Sequence, residues 1–200
     1  MRILSWNVNG LRAVYKKGFV EAVARMDPDI LCLQETKLQE DQRSQEMINF
    51  DTYQSFWDYA STRKGYSGVA VYARKRPLAN RCGFGVERFD AEGRVIELDY
   101  GRFVLFNIYF PNGQKDDERL QYKLDFYRDF FSYADALKDQ GRSLIITGDF
   151  NTAHNEIDLK NPQSNKDRSG FLRIERDVLD DIISRGYVDT FRYLSPDTVK

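Results

Sequence analysis

Apolar residues in this chain come in short runs that stop at polar, oxygen-bearing side chains. Residues 3–8 read as a strand ending in Trp6-Asn7-Val8-Asn9-Gly10. Residues 19–26 are apolar at 19, 20, 23, 24 and 26, one face of a helix, which Asp27-Pro28 stops. Residues 30–33 form a second apolar strand with Gln34-Glu35 at its end. Strand, helix and strand at this spacing predict a βαβ-like unit. Residues 53–57 predict an edge strand, and 68–72 a strand stopped by Arg74-Lys75-Arg76-Pro77. Residues 94–98 and 103–109 predict a hairpin around Asp99-Tyr100-Gly101, whose second arm runs into Tyr109-Phe110-Pro111-Asn112-Gly113. Residues 120–137 keep the best helical period and Gly141 closes it. Residues 144–149 read as a buried strand, and 175–184 as a last helix before Gly186. Residues 61–65 and 152–170 read as polar loops, residues 39–49 as a surface loop or short helix, and Arg12, Lys16 and Lys17 fall in a loop as well. No repeat or linker interrupts this order. The pattern predicts one α/β domain over residues 1–200, with packed sheets covered by helices.

Two hundred residues are enough to bury a sizeable core. A net charge of −1 and a pI of about 6.0 exclude nucleic-acid binding by bulk positive charge and leave only a local basic face. Cys32 and Cys82 do not make a disulfide framework, and Met1-Arg2 runs directly into an apolar strand without a leader pattern. No apolar run reaches membrane-spanning length. The expectation is a cytoplasmic protein with no membrane partner.

The chemistry lies where the strands stop. Leu144-Ile145-Ile146-Thr147-Gly148-Asp149-Phe150-Asn151 sets a carboxylate and a carboxamide two residues apart, on one side of an extended backbone. Read alone, this is equally a turn after a strand, since Gly, Asp and Asn all favour turns. The pattern recurs, however, at Asn7, Glu35 and Tyr109. Asn7, Glu35, Asp149 and Asn151 are therefore the candidate metal ligands. An all-oxygen set fits Mg²⁺, with Mn²⁺ as the alternative, better than zinc, because the chain has one histidine and no Cys-His cluster. Cys32, Trp6 and Trp57 read as packing residues.

Several stretches then resemble the exonuclease III family of abasic-site endonucleases, in that family's order. Trp6-Asn7-Val8-Asn9-Gly10-Leu11-Arg12 resembles its opening motif, and Pro28-Asp29-Ile30-Leu31-Cys32-Leu33-Gln34-Glu35-Thr36-Lys37 its glutamate signature. Gly65-Tyr66-Ser67-Gly68-Val69, Tyr109-Phe110-Pro111-Asn112, Gly148-Asp149-Phe150-Asn151, the segment from Asn151 to Leu159, and Asp189-Thr190-Phe191-Arg192 are similar as well. The resemblance implies a four-layer α/β-sandwich of the deoxyribonuclease-I-like type. It implies metal-dependent hydrolysis of DNA on the 5′ side of abasic sites, with 3′-to-5′ exonuclease or 3′-repair action on blocked 3′ ends. It implies that Glu35 binds the metal, Asn7 helps hold it, Asp149 activates water, Asn151 steadies the phosphate and Tyr109 lies against it. Arg12, Lys17, Arg63, Lys64, Tyr66, Asn112 and Lys115 become the candidate DNA contacts. His154 is expected to shape its loop rather than act as a base.

Members of that family continue past a point like Lys200, with strands of the second sheet and a terminal motif that supplies a catalytic Asp and His. The resemblance thus implies a chain that lacks the C-terminal strands of the second sheet, with exposed sheet edges and reduced stability. A monomer is expected. Three functions compete: the repair nuclease, a phosphodiesterase or phosphatase of the same superfamily with another substrate, and a non-catalytic DNA-binding member.

Overall fold

A computed structural model describes residues 1–199. The chain divides into two compact units, Met1–Tyr109 with Tyr133–Asp149, and Phe110–Ser132 with Phe150–Lys200.

The first unit holds the strands. β1 (Ile3–Asn7) leads through α1 (Leu11–Tyr15) and α2 (Phe19–Met26) into β2 (Ile30–Gln34), and the two strands pair in parallel, as the βαβ pattern requires. α3 (Gln45–Ile48), β3 (Gln54–Asp58) and β4 (Val69–Ala73) complete a sheet in the order β1-β2-β4-β3. β5 (Ala79–Cys82), α4 (Glu87–Asp90), β6 (Val95–Asp99), β7 (Val104–Tyr109) and, after α5 (Asp117–Asp139), β8 (Leu144–Asp149) follow, giving a second sheet β5-β6-β7-β8. Both sheets are mixed, since β1–β2 and β7–β8 are parallel and the other pairs antiparallel.

Alternation explains how the sheets stack. On β2, Leu31 and Leu33 pack with Phe19 and Val23 of α2, while Ile30 and Cys32 face the second sheet and join Ile96, Leu98 and Leu105. β4 divides the same way, with Ala70 and Tyr72 on one side and Val69, Val71 and Ala73 on the other. Both faces are buried, so these strands read as continuous apolar runs. From Tyr133 onward α5 covers the far side of the second sheet, where Tyr133 donates to Glu97 at 2.7 Å and its ring meets Phe106. Helix, sheet, sheet and helix make four layers.

Several expectations need correction. The strand at 144–149 is not fully buried. Among the described residues it is the edge of its sheet, paired only with β7, and each of its residues is half-buried. Arg12 lies in α1, not in a loop. β5 carries no apolar alternation because all four residues are exposed, and the short α4 and α8 (Thr190–Leu194) have too few buried positions to show a period. The loop at 152–170 contains a 3-10 turn at Glu156–Asp158 and α6 (Pro162–Asn165). The helix expected over 120–137 begins earlier, because Asp116 accepts the Arg119 amide at 2.8 Å and caps it.

The second unit is built on Phe110, whose ring stacks on Tyr127 and on Phe150 at 4.5 Å each, with Phe126, Phe130 and Phe131 around it. α7 (Arg173–Ser184) follows the long loop, and Asp189 caps α8 by accepting the Arg192 amide at 3.0 Å.

Candidate active site

In the first unit four strand ends converge. Asn7 closes β1, Glu35 follows β2, Tyr109 closes β7 and Asp149 closes β8, and Tyr109 and Asp149 are register partners. The Asn7 carboxamide donates from Nδ2 to Asp149 Oδ2 at 2.6 Å, while its Oδ1 accepts the Asn9 amide at 2.9 Å. The Tyr109 hydroxyl donates to Glu35 Oε1. Each carboxylate is thus held by a neutral donor that does not titrate near neutral pH. Burial, and after it the bond to Glu35, push the Tyr109 hydroxyl far above the usual tyrosine range, so it remains a donor.

The backbone here is strained and pinned. Asn9, Glu35, Lys37 and Ser67 all have φ between 44° and 54°, a region that bulky side chains rarely adopt. Gly10 N donates to Glu35 O at 2.7 Å, Leu11 N to Thr36 O at 3.0 Å, Thr36 N to Gly68 O at 3.0 Å and Lys37 N to Ser67 O at 2.9 Å. Two other chain segments, at Gly10–Leu11 and Ser67–Gly68, therefore hold the stretch from Glu35 to Lys37 in place. Gly68, at φ +85, is required there because a Cβ would overlap the Thr36 hydroxyl.

Four supporting residues were not among the candidates that reading by apolar runs singles out. Lys37 reaches Asn9 Oδ1 at 2.5 Å and lies 3.8 Å from Glu35 Oε2. Arg94 is buried, with NH1 on the Tyr109 carbonyl at 2.9 Å, NH2 on the Tyr66 hydroxyl at 2.9 Å and Nε on Glu92 at 2.6 Å. Behind them, between the sheets, buried Gln34 donates to Asn107 Oδ1 at 2.7 Å, and Asn107 donates to the carbonyls of Leu33 and Ala70 at 3.0 and 2.9 Å. An Asn inside the apolar run 103–109 was the one visible hint.

Of the remaining candidates, Arg12, Lys17 and Lys64 are exposed in the first unit, and Tyr66 is half-buried against Arg94 with Arg63 over its ring. Asn151, Asn112 and Lys115 belong to the second unit. Lys115 is 83% exposed and paired with Asp116 at 3.0 Å, and Asn112 Oδ1 accepts the Gln114 amide at 2.8 Å. Asn151, at φ +51, donates from Nδ2 to the Phe110 carbonyl at 2.8 Å. His154 bonds to Asp180 at 2.7 Å, and its carbonyl accepts from Arg176 at 2.7 Å, which ties the loop to α7.

The donor set can be tested against a metal. Among the described residues no group of three or more His, Cys, Asp and Glu side chains gathers to hold an ion. The first unit instead offers two carboxylates and one carboxamide oxygen. That suits a hard cation which keeps much of its water, and does not suit zinc.

The Endonuclease/Exonuclease/phosphatase family matches residues 4–198. An exodeoxyribonuclease of Bacillus subtilis is 42% identical over 198 residues, which are 98% of this chain and 77% of that protein. The DNA repair nuclease APEX1 of Danio rerio is 41% identical over 198 residues, and the chain spans 98% of itself but only 64% of that relative. An AP endonuclease from Archaeoglobus fulgidus superimposes with a TM-score of 0.87 at 27% identity, over 98% of this chain and 75% of that one. The two mixed sheets and their helices are the deoxyribonuclease-I-like fold of these enzymes. By matched span, by identity and by architecture, this chain belongs to the endonuclease/exonuclease/phosphatase family, in which it is similar to an exodeoxyribonuclease and a DNA repair nuclease.

Proposed function

We propose that the protein hydrolyses a DNA phosphodiester on the 5′ side of an abasic site, with Mg²⁺ as its cation and Mn²⁺ as a substitute, and trims blocked 3′ ends at the same site. The observation that carries this reading is the pair of chain-distant carboxylates, each oriented by a neutral donor, Asn7 on Asp149 and Tyr109 on Glu35.

Phosphodiester hydrolysis needs an oriented water and neutralised phosphoryl charge more than it needs a covalent intermediate. Asp149 takes the proton from the attacking water. Asn7 has no proton to exchange near neutral pH, so its bond to Oδ2 fixes the orientation of the carboxylate and leaves the proton transfer to Asp149. Glu35, with the Asn7 oxygen, would hold the cation, which when bound neutralises phosphoryl charge and makes a bound water more acidic. Tyr109 donates its one hydroxyl proton to Glu35 in the substrate-free site and would turn it to a phosphate oxygen when the phosphate is bound. Asn151 follows Asp149 by two residues, and its role is to steady the phosphate. Exposed Arg12, Lys17, Lys64 and Lys115, with Tyr66 and Asn112, contact the DNA backbone. An abasic nucleotide has no base to unstack, so turning it outward costs little and contributes to selectivity.

The test is incision of a duplex with one synthetic abasic site, in Mg²⁺, in Mn²⁺ and with chelator. Metal-dependent incision 5′ of the lesion is expected. Abasic-DNA binding without cleavage in either metal would point to a non-catalytic member. Phosphate release from inositol phosphates with intact DNA would move the substrate elsewhere in the superfamily.

A further inference from the structure

The second unit contains an ion pair that the hydrolysis chemistry does not use. Lys123 on α5 and Glu175 on α7 are both fully buried and meet at 2.6 Å. The Lys123 ammonium also donates to the backbone carbonyl of Asn151 at 2.6 Å. Glu175 is saturated from its other side. Its Oε1 accepts Ser169 Oγ at 2.8 Å, and its Oε2 accepts the amides of Gly170 and Leu172 at 2.7 and 3.0 Å. Gly170 in turn accepts the Ala153 amide at 2.9 Å, two residues past Asn151. On the near side the Tyr127 hydroxyl donates to the Phe150 carbonyl at 2.5 Å.

A buried ion pair is weak evidence for stability, because desolvating both charges costs about as much as their attraction returns. What this pair does specifically is hold one carbonyl, that of a non-glycine residue at φ +51, whose side chain then reaches the Phe110 carbonyl. Asn visits this left-handed conformation more readily than other non-glycine residues, and the bonds to its carbonyl and side chain select it here. We propose that Lys123, fixed by Glu175, is a positioning residue that sets the backbone at Asn151 and thereby aims the Asn151 carboxamide. This rests on the reading that Asn151 steadies the phosphate.

The test replaces both charges at once with Lys123→Met and Glu175→Gln, which avoids leaving one charge buried alone. Misplacing an orienting group by about 1 Å costs on the order of 100-fold in rate. The expected result is kcat lower by about 10- to 100-fold with KM and abasic-duplex affinity held within about twofold. With Asn151→Ala added, this variant should turn over no more slowly than Asn151→Ala alone, because both changes remove the same interaction. The second readout needs no turnover. Exchange of the Asn151 side-chain amide protons, followed by NMR, should quicken about tenfold while the amides of α7 keep their protection. Losses that multiply, or Asn151 exchange unchanged in the charge-free variant, would overturn the proposal while leaving the role of Asn151 intact. Full turnover by Asn151→Ala alone would instead remove the reading beneath it.

Discussion

Asn7 and Asp149 lie 142 residues apart in the chain, yet the carboxamide of one holds the carboxylate of the other at 2.6 Å. Their strands sit in different sheets, so the bond joins the ends of both sheets at the point where the chemistry is proposed. Asp149→Asn should reduce cleavage by about 10²- to 10⁴-fold, the usual contribution of a general base. It should leave abasic-duplex binding within a few-fold of the parent, as read by single-turnover cleavage and fluorescence anisotropy. Asn7→Ala should lose less, and at saturating Mg²⁺, where its share in holding the cation no longer counts, the double variant should be no worse than Asp149→Asn alone. Undiminished turnover by Asp149→Asn would remove it from the mechanism.

Tyr109→Phe keeps the buried ring and deletes the hydroxyl on Glu35. One hydrogen bond to a carboxylate is worth about 1.5–3 kcal/mol, and Glu35 retains some access to water, so the stability loss should fall at the low end. Cleavage should fall by about 100-fold, as for loss of one transition-state donor. The Mg²⁺ concentration giving half-maximal activity should shift as well, since Glu35 loses its orienting partner. A titration superimposable on the parent's would separate Tyr109 from the metal-binding carboxylate.

Asn107→Leu tests the polar seam between the sheets. The substitution is close in size, but it takes the acceptor from the Gln34 amide and two donors from the carbonyls of Leu33 and Ala70. Leaving buried polar groups with fewer partners costs about 1–3 kcal/mol. A urea unfolding midpoint equal to the parent's, at unchanged slope, would show that the seam tolerates an apolar pair.

Burial pushes the Asp58 carboxyl up to about 7, against the amides of Val95 and Tyr59, which pull it down. In the unfolded chain the same group ionises near its ordinary value of about 3.9. A folded-state pKa above the unfolded one means that the folded protein binds the extra proton between these values. The contribution to stability is therefore fully present below about pH 4 and lost as pH rises through about 7. Asp58→Asn should flatten the dependence of unfolding free energy on pH across that window. A slope that survives the substitution would assign it to another group.

How much of this was legible follows from the range of each interaction. The strand–helix–strand opening, the hairpin at 94–109 and the long helix were readable because period-2 and helical patterns are local. Asn7, Glu35, Tyr109 and Asp149 were readable for a related reason, since a strand that stops at an oxygen-bearing side chain shows this within a few residues of sequence. Three things were decided only in the tertiary structure. The strand at 144–149 looks as apolar as β2 but is half-exposed, because burial depends on whether a second neighbour pairs with it. Glu35 and Lys37 take left-handed backbone conformations that their own side chains disfavour, and hydrogen bonds from two distant segments hold them there. Arg94, Lys123 and Glu175 are charged residues that composition assigns to the surface, yet they are buried, Arg94 with Glu92 and the distant Tyr66 and Tyr109, and Lys123 and Glu175 with each other across 52 residues of chain. A sequence states which groups are present and how a short segment alternates. Which group loses its water, and which partner replaces that water, is set by contacts between segments far apart in the chain.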